Sequence, residues 1–210
     1  MDKEKFLTNV AQSFYERFLV PQFYEKGNKP FVVALIGIPG SGRTTIAKRL
    51  KVVQGMASVL VSANDARSIL RDNTLEWGEN VRILLRFSMQ KLFEQGYGVV
   101  LDGNALDEKD RQNIESVASQ FSVPVFYVRV MTDSVIAAER MRKKYEDENW
   151  ISTPGEIRVN TAEKMVQNVW DRAEFEKTVD FSKIPLFATI DNNGTIEQLH
   201  SRVDTIIKKI

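Results

Sequence analysis

Five short stretches of almost unbroken apolar character recur along the chain: FVVALI (31–36), SVLVS (58–62), GVVLD (98–102), VFYVRV (125–130) and LFATI (186–190). Runs of this length without alternation belong to strands buried on both faces, the condition of a parallel sheet covered by helices. Between them the apolar positions change to helical spacing. Ile46, Leu50 and Val53 mark the inner face of a helix from Thr44, and Val81, Leu85, Met89 and Leu92 that of a helix over 79–95. A third helix is expected over 107–120, with Asp107 as a candidate cap, and Gly96 stands where a helix C-terminus favours glycine. A leading helix carries Leu7, Val10, Phe14 and Phe18, is ended by Pro21 and the turn-forming EKGNKP, and is expected outside the core unit. The last helix opens on TIEQ, where Thr195 and Gln198 have capping-box spacing, and continues on Leu199, Val203 and Ile206. The stretch 160–175, with Met165, Val166, Val169 and Trp170, reads as core rather than as a binding platform. The alternation predicts an α/β fold: a five-stranded parallel sheet with helices on both faces, forming one domain over 1–210.

Composition narrows the partners. Lys+Arg total 29 against Asp+Glu 28, so the chain lacks the basic excess with which proteins bind nucleic acid by charge alone. The absence of cysteine removes disulfides, thiolate metal sites and cysteine nucleophiles together. No apolar run approaches the roughly 20 residues of a membrane helix, and the charged start MDKEK is not followed by an apolar signal core, so a cytoplasmic protein is expected.

The segment GIPGSGRTT directly follows the first strand and opens a helix. Gly37, Pro39, Gly40, Ser41 and Gly42 form a loop whose successive backbone N–H groups can curl around a phosphate at a positive helix terminus. Glycine permits close approach of that backbone, Thr44 supplies the hydroxyl that commonly holds magnesium, and Thr45 follows it. The departure is Arg43, which stands where such a loop normally has lysine. A guanidinium keeps the charge but is planar and bulkier than an ammonium, so phosphate binding can survive while phosphoryl transfer suffers.

With these motifs in order, the chain resembles the small P-loop kinases that include the kinase domain of bacteriophage polynucleotide kinase, zeta toxin and chloramphenicol phosphotransferase. The resemblance covers residues 31 to about 191, through GIPGSGRTT, VSANDARSIL, GYGVVLDGNALDEKDR, AAERMRKKYEDENW and FATIDNNGT. It implies a P-loop NTPase three-layer sandwich of the nucleoside-monophosphate-kinase type, with ATP and Mg2+ as cofactors and a lid over 132–160. In such kinases the second strand leads into Asp-x-x-Arg, whose aspartate takes the acceptor proton. Here that register reads Asn64-Asp65-Ala66-Arg67, so an amide holds the base position, and Asp65, one residue along, is either a displaced base or a helix N-terminal charge. Arg67 keeps its register as a substrate- or phosphate-steering group. The resemblance implies that Asp102, closing the third strand, helps Thr44 with magnesium, with Asn104 and Arg111 on the acceptor side. It further implies that Arg140 folds over the phosphates with Lys144 four residues on, and that Asp191 borders the nucleotide in the loop IDNNGT. Trp150 is a further candidate on the lid side.

Two functional classes follow. The first is an ATP- and magnesium-dependent phosphotransferase to a hydroxyl of a small molecule or nucleotide, with Arg43, Asp65, Arg67 and Arg140 catalytic. The alternative is a nucleotide-binding pseudokinase or impaired variant acting through a partner, since Arg43 and Asn64 weaken chemistry more than binding. The acceptor and the choice between monomer and homodimer stay open.

Overall fold

The computed structural model describes residues 3–23, 29–52, 58–103, 105–147 and 161–209. The expected strands form at β1 (Val32–Ile36), β2 (Ser58–Ser62), β3 (Gly98–Asp102), β4 (Val125–Met131) and β5 (Leu186–Asp191), all parallel in the order β2-β3-β1-β4-β5. Their helices are α1 (Lys3–Phe14), α2 (Arg43–Val52), α3 (Ala63–Asp72), α4 (Glu79–Glu94), α5 (Glu108–Gln120), α6 (Ser134–Glu146), α7 (Ala162–Lys177) and α8 (Ile196–Ile207). Thr195 and Gln198 make the reciprocal capping box on α8.

Alternating residues of β1 feed two cores. Val32, Ala34 and Ile36 pack with α1, α3, α4 and α5, while Val33 and Leu35 pack with Ile46 and Leu50 of α2 and Leu199 and Val203 of α8. This is the three-layer sandwich, and β1 is unbroken in apolar character because each of its faces meets helices. A third cluster joins Ile38 of the loop after β1 to Ala137, Ala138 and Met141 of α6 and Val169 of α7.

The leading helix is part of the core rather than outside it. Val10, Ala11, Phe14, Tyr15 and Leu19 are buried in the same cluster as α3 and α4, because the apolar stripe of α1 packs against those two helices. Past the turn at Tyr15–Leu19, the Gln22 carboxamide donates to the Leu60 carbonyl at 3.0 Å and accepts from the Leu60 N–H at 3.1 Å. It thereby satisfies a free backbone pair on the edge strand β2. Val53, Asn104, Trp150 and the part of the expected lid from 148 to 160 lie outside the described residues.

Candidate functional site

The carboxyl ends of β1, β2 and β3 surround a cleft of about 590 Å3, the position at which open parallel sheets receive ligands. Its floor is the loop between β1 and α2. Gly40 and Gly42 have φ of 79° and 93°, a region costly for residues with side chains. Packing excludes a side chain there as well: a Cβ on Gly40 would collide with the Ala137 carbonyl, and one on Gly42 with the Asn192 carboxamide. The glycines are therefore needed first to seat the loop against α6 and the β5–α8 turn. Gly37 is confined likewise, its Cβ position lying 2.7 Å from the Val130 carbonyl.

The loop's orientation is set from outside the motif. The Ser41 carbonyl accepts from Asn192 Nδ2 at 2.7 Å and from the Thr132 hydroxyl at 3.2 Å. A trans peptide holds C=O and N–H on opposite sides, so the Gly42 N–H points away from that anchorage, into the cleft that Ser41 and Gly42 line. The Ser41 hydroxyl itself is buried without a partner among the described residues. Asn192 is 5% exposed and went unnoticed in the sequence, where its neighbour Asp191 was the expected nucleotide contact. Asp191 does not line the cleft. Its carboxylate accepts from the Asn193 N–H at 2.9 Å and lies 3.9 Å from Arg202.

Thr44, on the first turn of α2, donates to Asp102 Oδ2 at 2.6 Å. Hydroxyl and carboxylate oxygens are the donors a hard cation takes, and their meeting at the loop's end fits a magnesium ion completed by phosphate oxygens and water. Among the described residues no group of three or more His, Cys, Asp or Glu side chains could hold a metal, so the pair does not make an all-protein cage.

The walls are cationic. Arg43, Arg67, Arg71, Arg140, Lys144 and Arg172 line the cleft against a single carboxylate among the described residues, Asp102. Arg71 and Arg172 are paired with Asp72 and Asp107, but Arg43 donates to the Gly103 carbonyl and Arg67 to Asn64 Oδ1, both neutral acceptors. Arg140 Nη1 is buried with no partner among the described residues. Burial pushes the Arg43, Arg67 and Arg140 guanidiniums below their ordinary pKa, with Asp102 opposing the shift at Arg43 and the Arg43 charge adding to it at Arg67. Charge held in this way, poorly compensated and partly desolvated, favours a polyanion that supplies the missing negative charge.

Several expected residues take other positions. Asn64 lines the cleft and Asp65 does not, because the first turn of α3, capped by the Ser62 hydroxyl, turns adjacent side chains about 100° apart. Arg111 donates to the Ala105 and Leu106 carbonyls at 3.0 and 2.8 Å and so pins the turn after β3. Asp107 makes no cap bond to α5 and pairs instead with Arg172 at 3.1 Å. That pairing draws α7 to the cleft, where Met165, Asn168 and Arg172 form part of its wall, so the stretch expected to be core is a core on one face only. Trp170 is 37% exposed. Arg140 and Lys144 both line the cleft, as their spacing on α6 requires, while Pro39 and Thr45 line it beside the loop. Trp77, in the turn between α3 and α4, is 40% exposed at the rim and carried no signal in the sequence beyond the turn-forming Gly78 after it.

A sequence profile described as an AAA domain matches residues 32–169, well over half of the chain. The chain belongs to the AAA domain family. No curated protein matches it significantly. Among solved structures it is similar to a gluconokinase from Sinorhizobium meliloti 1021, at 12% identity and TM-score 0.55 over 86% of this chain and 93% of that one. A provisionally assigned kinase from Chloroflexus aurantiacus j-10-fl gives 14% and 0.62, over 87% and 100% of the two chains. A sugar kinase from Janibacter sp. HTCC2649 gives 15% and 0.53, over 85% and 95%. At these identities the likeness is one of fold, and the fold is the P-loop NTPase sandwich.

Proposed function

We propose that this AAA domain protein is an ATP- and magnesium-dependent phosphotransferase that moves the γ-phosphoryl group to a hydroxyl of a small molecule. The observation that carries the reading is the meeting of Thr44 and Asp102 at 2.6 Å at the end of a glycine loop, inside a cleft walled by six cationic side chains. The kinases among its structural neighbours support the same reading.

In this account the backbone N–H groups of the loop from Gly37 to Gly42 hold the β- and γ-phosphates, with the Gly42 N–H fixed by the anchored Ser41 peptide. Thr44 and Asp102 would hold magnesium, Asp102 through bound water, and the ion when bound neutralises charge on the phosphate oxygens. Arg67 and Arg140 steady the transferred group, whose charge is spread over three oxygens in a loose transition state. The acceptor oxygen bonds to the γ-phosphorus as the bond from that phosphorus to the β–γ bridging oxygen breaks, and ADP leaves. The acceptor's proton passes to Asp102, the carboxylate that faces the cleft, rather than to Asp65. A loose transition state makes little demand on the strength of that base.

A second reading, a nucleotide-binding protein without turnover, is favoured by one feature: the Arg43 guanidinium is engaged with the Gly103 carbonyl instead of standing over the loop. Transfer of labelled γ-phosphate from magnesium-ATP to a pool of alcohols separates the two. Turnover by the protein, reduced about 100-fold or more in Asp102→Asn, supports the first. Turnover only in Arg43→Lys, or in neither although both bind nucleotide, supports the second.

A further inference from the structure

The transfer described above leaves Arg43 without a part. Loop amides hold the phosphates and Arg67 with Arg140 steadies the transferred group, while the Arg43 side chain reaches the end of β3 and donates through Nη1 to the Gly103 carbonyl. Gly103 is a shared wall: with Ala63 and Arg67 it lines both the cleft and an adjoining cavity of about 180 Å3. Arg43 and Arg67 therefore stand together at the opening between the two spaces, and burial, followed by the Arg43 charge, holds the Arg67 guanidinium below its ordinary pKa. Among the described residues neither guanidinium donates to a carboxylate, since Arg67 donates to Asn64 Oδ1. The carboxylates whose charge reaches them are already engaged, Asp102 by the Thr44 hydroxyl and Asp110 by Arg82 Nε at 2.6 Å. Two like charges held side by side and partly desolvated, with no anion bonded to either, are stabilised by a ligand that brings one.

We infer that Arg43 serves the phosphate acceptor rather than the nucleotide, and that with Arg67 it seats a carboxylate lying next to the reacting hydroxyl. The inference rests on the phosphotransferase reading, which places the reacting phosphate at Thr44 and Asp102, beside Gly103. A guanidinium with one N–H on the Gly103 carbonyl has four more to present, and an adjacent pair of them matches a carboxylate edge in a way that the ammonium of a lysine cannot. Arginine at this position thus gives up the compact charge suited to the nucleotide's phosphates and gains a planar one suited to a second anion. A single negative charge fits better than a phosphate ester there, because a dianion would be repelled more strongly by the phosphoryl group beside it. Behind the opening, Leu85 and Met89 from α4, Leu101 from β3 and Ile114 from α5 offer apolar walls, with Arg82, Asp110 and Asn113 as further polar ones. An acceptor whose apolar body rests on those walls sends both its hydroxyl and its carboxylate through the same opening. The two groups therefore sit on neighbouring carbons, and the acceptor class is a 2-hydroxy acid with an apolar body.

The methionines give a direct test, because Met89 lines the cavity while Met141 and Met165 line the cleft. Protein carrying 13C-methyl methionine, each resonance assigned by a Met→Leu replacement, is titrated separately with magnesium-ATP, with mandelate, and with 1-phenylethane-1,2-diol, which has the same ring and hydroxyl but no charge. The expected result is a saturable shift of Met89 with mandelate, at least tenfold weaker binding of the diol, and shifts of Met141 and Met165 with magnesium-ATP. Arg43→Gln, which keeps a donor and removes the charge and the fork, should weaken mandelate about tenfold, leave the diol within about twofold and weaken magnesium-ATP by no more than about threefold. Arg43→Lys, which restores the charge alone, should recover part of the mandelate loss. The magnesium-ATP shifts in each variant also report that its fold is intact. A Met89 resonance unmoved by mandelate, mandelate binding that Arg43→Gln leaves unchanged, or a greater loss of magnesium-ATP than of mandelate in that variant overturns the inference and leaves the phosphotransferase reading standing. Silence of Met141 and Met165 toward magnesium-ATP in the unaltered protein overturns that reading instead, and the mandelate titrations then still decide whether Arg43 holds an anion at the cavity.

Discussion

Replacing Asn192 by alanine should weaken both the fold and nucleotide binding, although the residue is outside the glycine motif. Its carboxamide is 5% exposed, and Nδ2 lies 2.7 Å from the Ser41 carbonyl. Truncation removes one of two donors on that carbonyl; Thr132 remains at 3.2 Å, so the acceptor is weakened rather than orphaned. The lost bond and the small void beneath Gly42 together cost about 1–2 kcal/mol of stability. The larger consequence concerns orientation. With one anchor gone the Ser41 peptide can rotate, the Gly42 N–H is no longer held toward the phosphates, and ATP affinity should fall about 5- to 10-fold, or about 1–1.4 kcal/mol. Urea unfolding measures the first quantity and titration with a fluorescent ATP analogue the second. Adding Thr132→Val removes the remaining donor and leaves a buried carbonyl unsatisfied, so the double variant should lose more than the sum of the singles. A stability loss with ATP affinity unchanged within twofold, or strictly additive losses, would refute the argument that these side chains aim the loop.

The leading helix is expected to be indispensable: Phe14 is fully buried in the main cluster, and Phe14→Ala should cost about 3–5 kcal/mol in chemical denaturation while leaving one cooperative transition. Two separated transitions would show instead that α1 is an independent appendage. The pair between Arg49 and Asp204, with bonds of 2.9 and 2.7 Å, joins α2 to α8 and should give an acid-sensitive contribution. Hydrogen bonding to Arg49 holds the Asp204 carboxyl below its ordinary 3.8, so the unfolded chain binds that proton more tightly than the folded one. The contribution is therefore complete above that value and is lost as pH falls through the lower folded-state value. Asp204→Asn should be less stable than the unaltered protein at neutral pH, with the difference narrowing in strong acid; a difference that stays constant would contradict the linkage.

What the sequence disclosed and what it concealed divide along the range of the interactions involved. β1, β2 and β3 were legible because burial on both faces leaves no room for polar alternation, β4 and β5 because their runs stay mostly apolar although partly exposed, and the α8 capping box because its partners are three residues apart. Asp102 was legible as a ligand-side residue because it closes a strand at its carboxyl end, and its pairing with Thr44 came from the resemblance to small P-loop kinases. Asn192 stayed hidden because its partner is 151 residues away and an Asn in a turn is already explained by turn chemistry. Gln22 was hidden for a similar reason, since a carboxamide that satisfies an edge strand across 38 residues leaves no local pattern. Asp65 illustrates a different difficulty: one residue of register on a helix moves a side chain by 100°, enough to turn it out of the cleft. The leading helix could not be placed from its pattern alone, because a single apolar stripe is the same whether it packs on its own domain or forms a dimer face.

The central claim is that the loop, Thr44 and Asp102 form a site for magnesium and a nucleoside triphosphate. Calorimetric titration of ATP, with and without magnesium, into the unaltered protein and into Thr44→Val tests it most directly. Valine preserves the shape of the side chain and removes only the hydroxyl that donates to Asp102. The account predicts one-to-one binding strengthened by magnesium in the unaltered protein and insensitive to magnesium in Thr44→Val. Absence of ATP binding, or the same response to magnesium in both proteins, would contradict it.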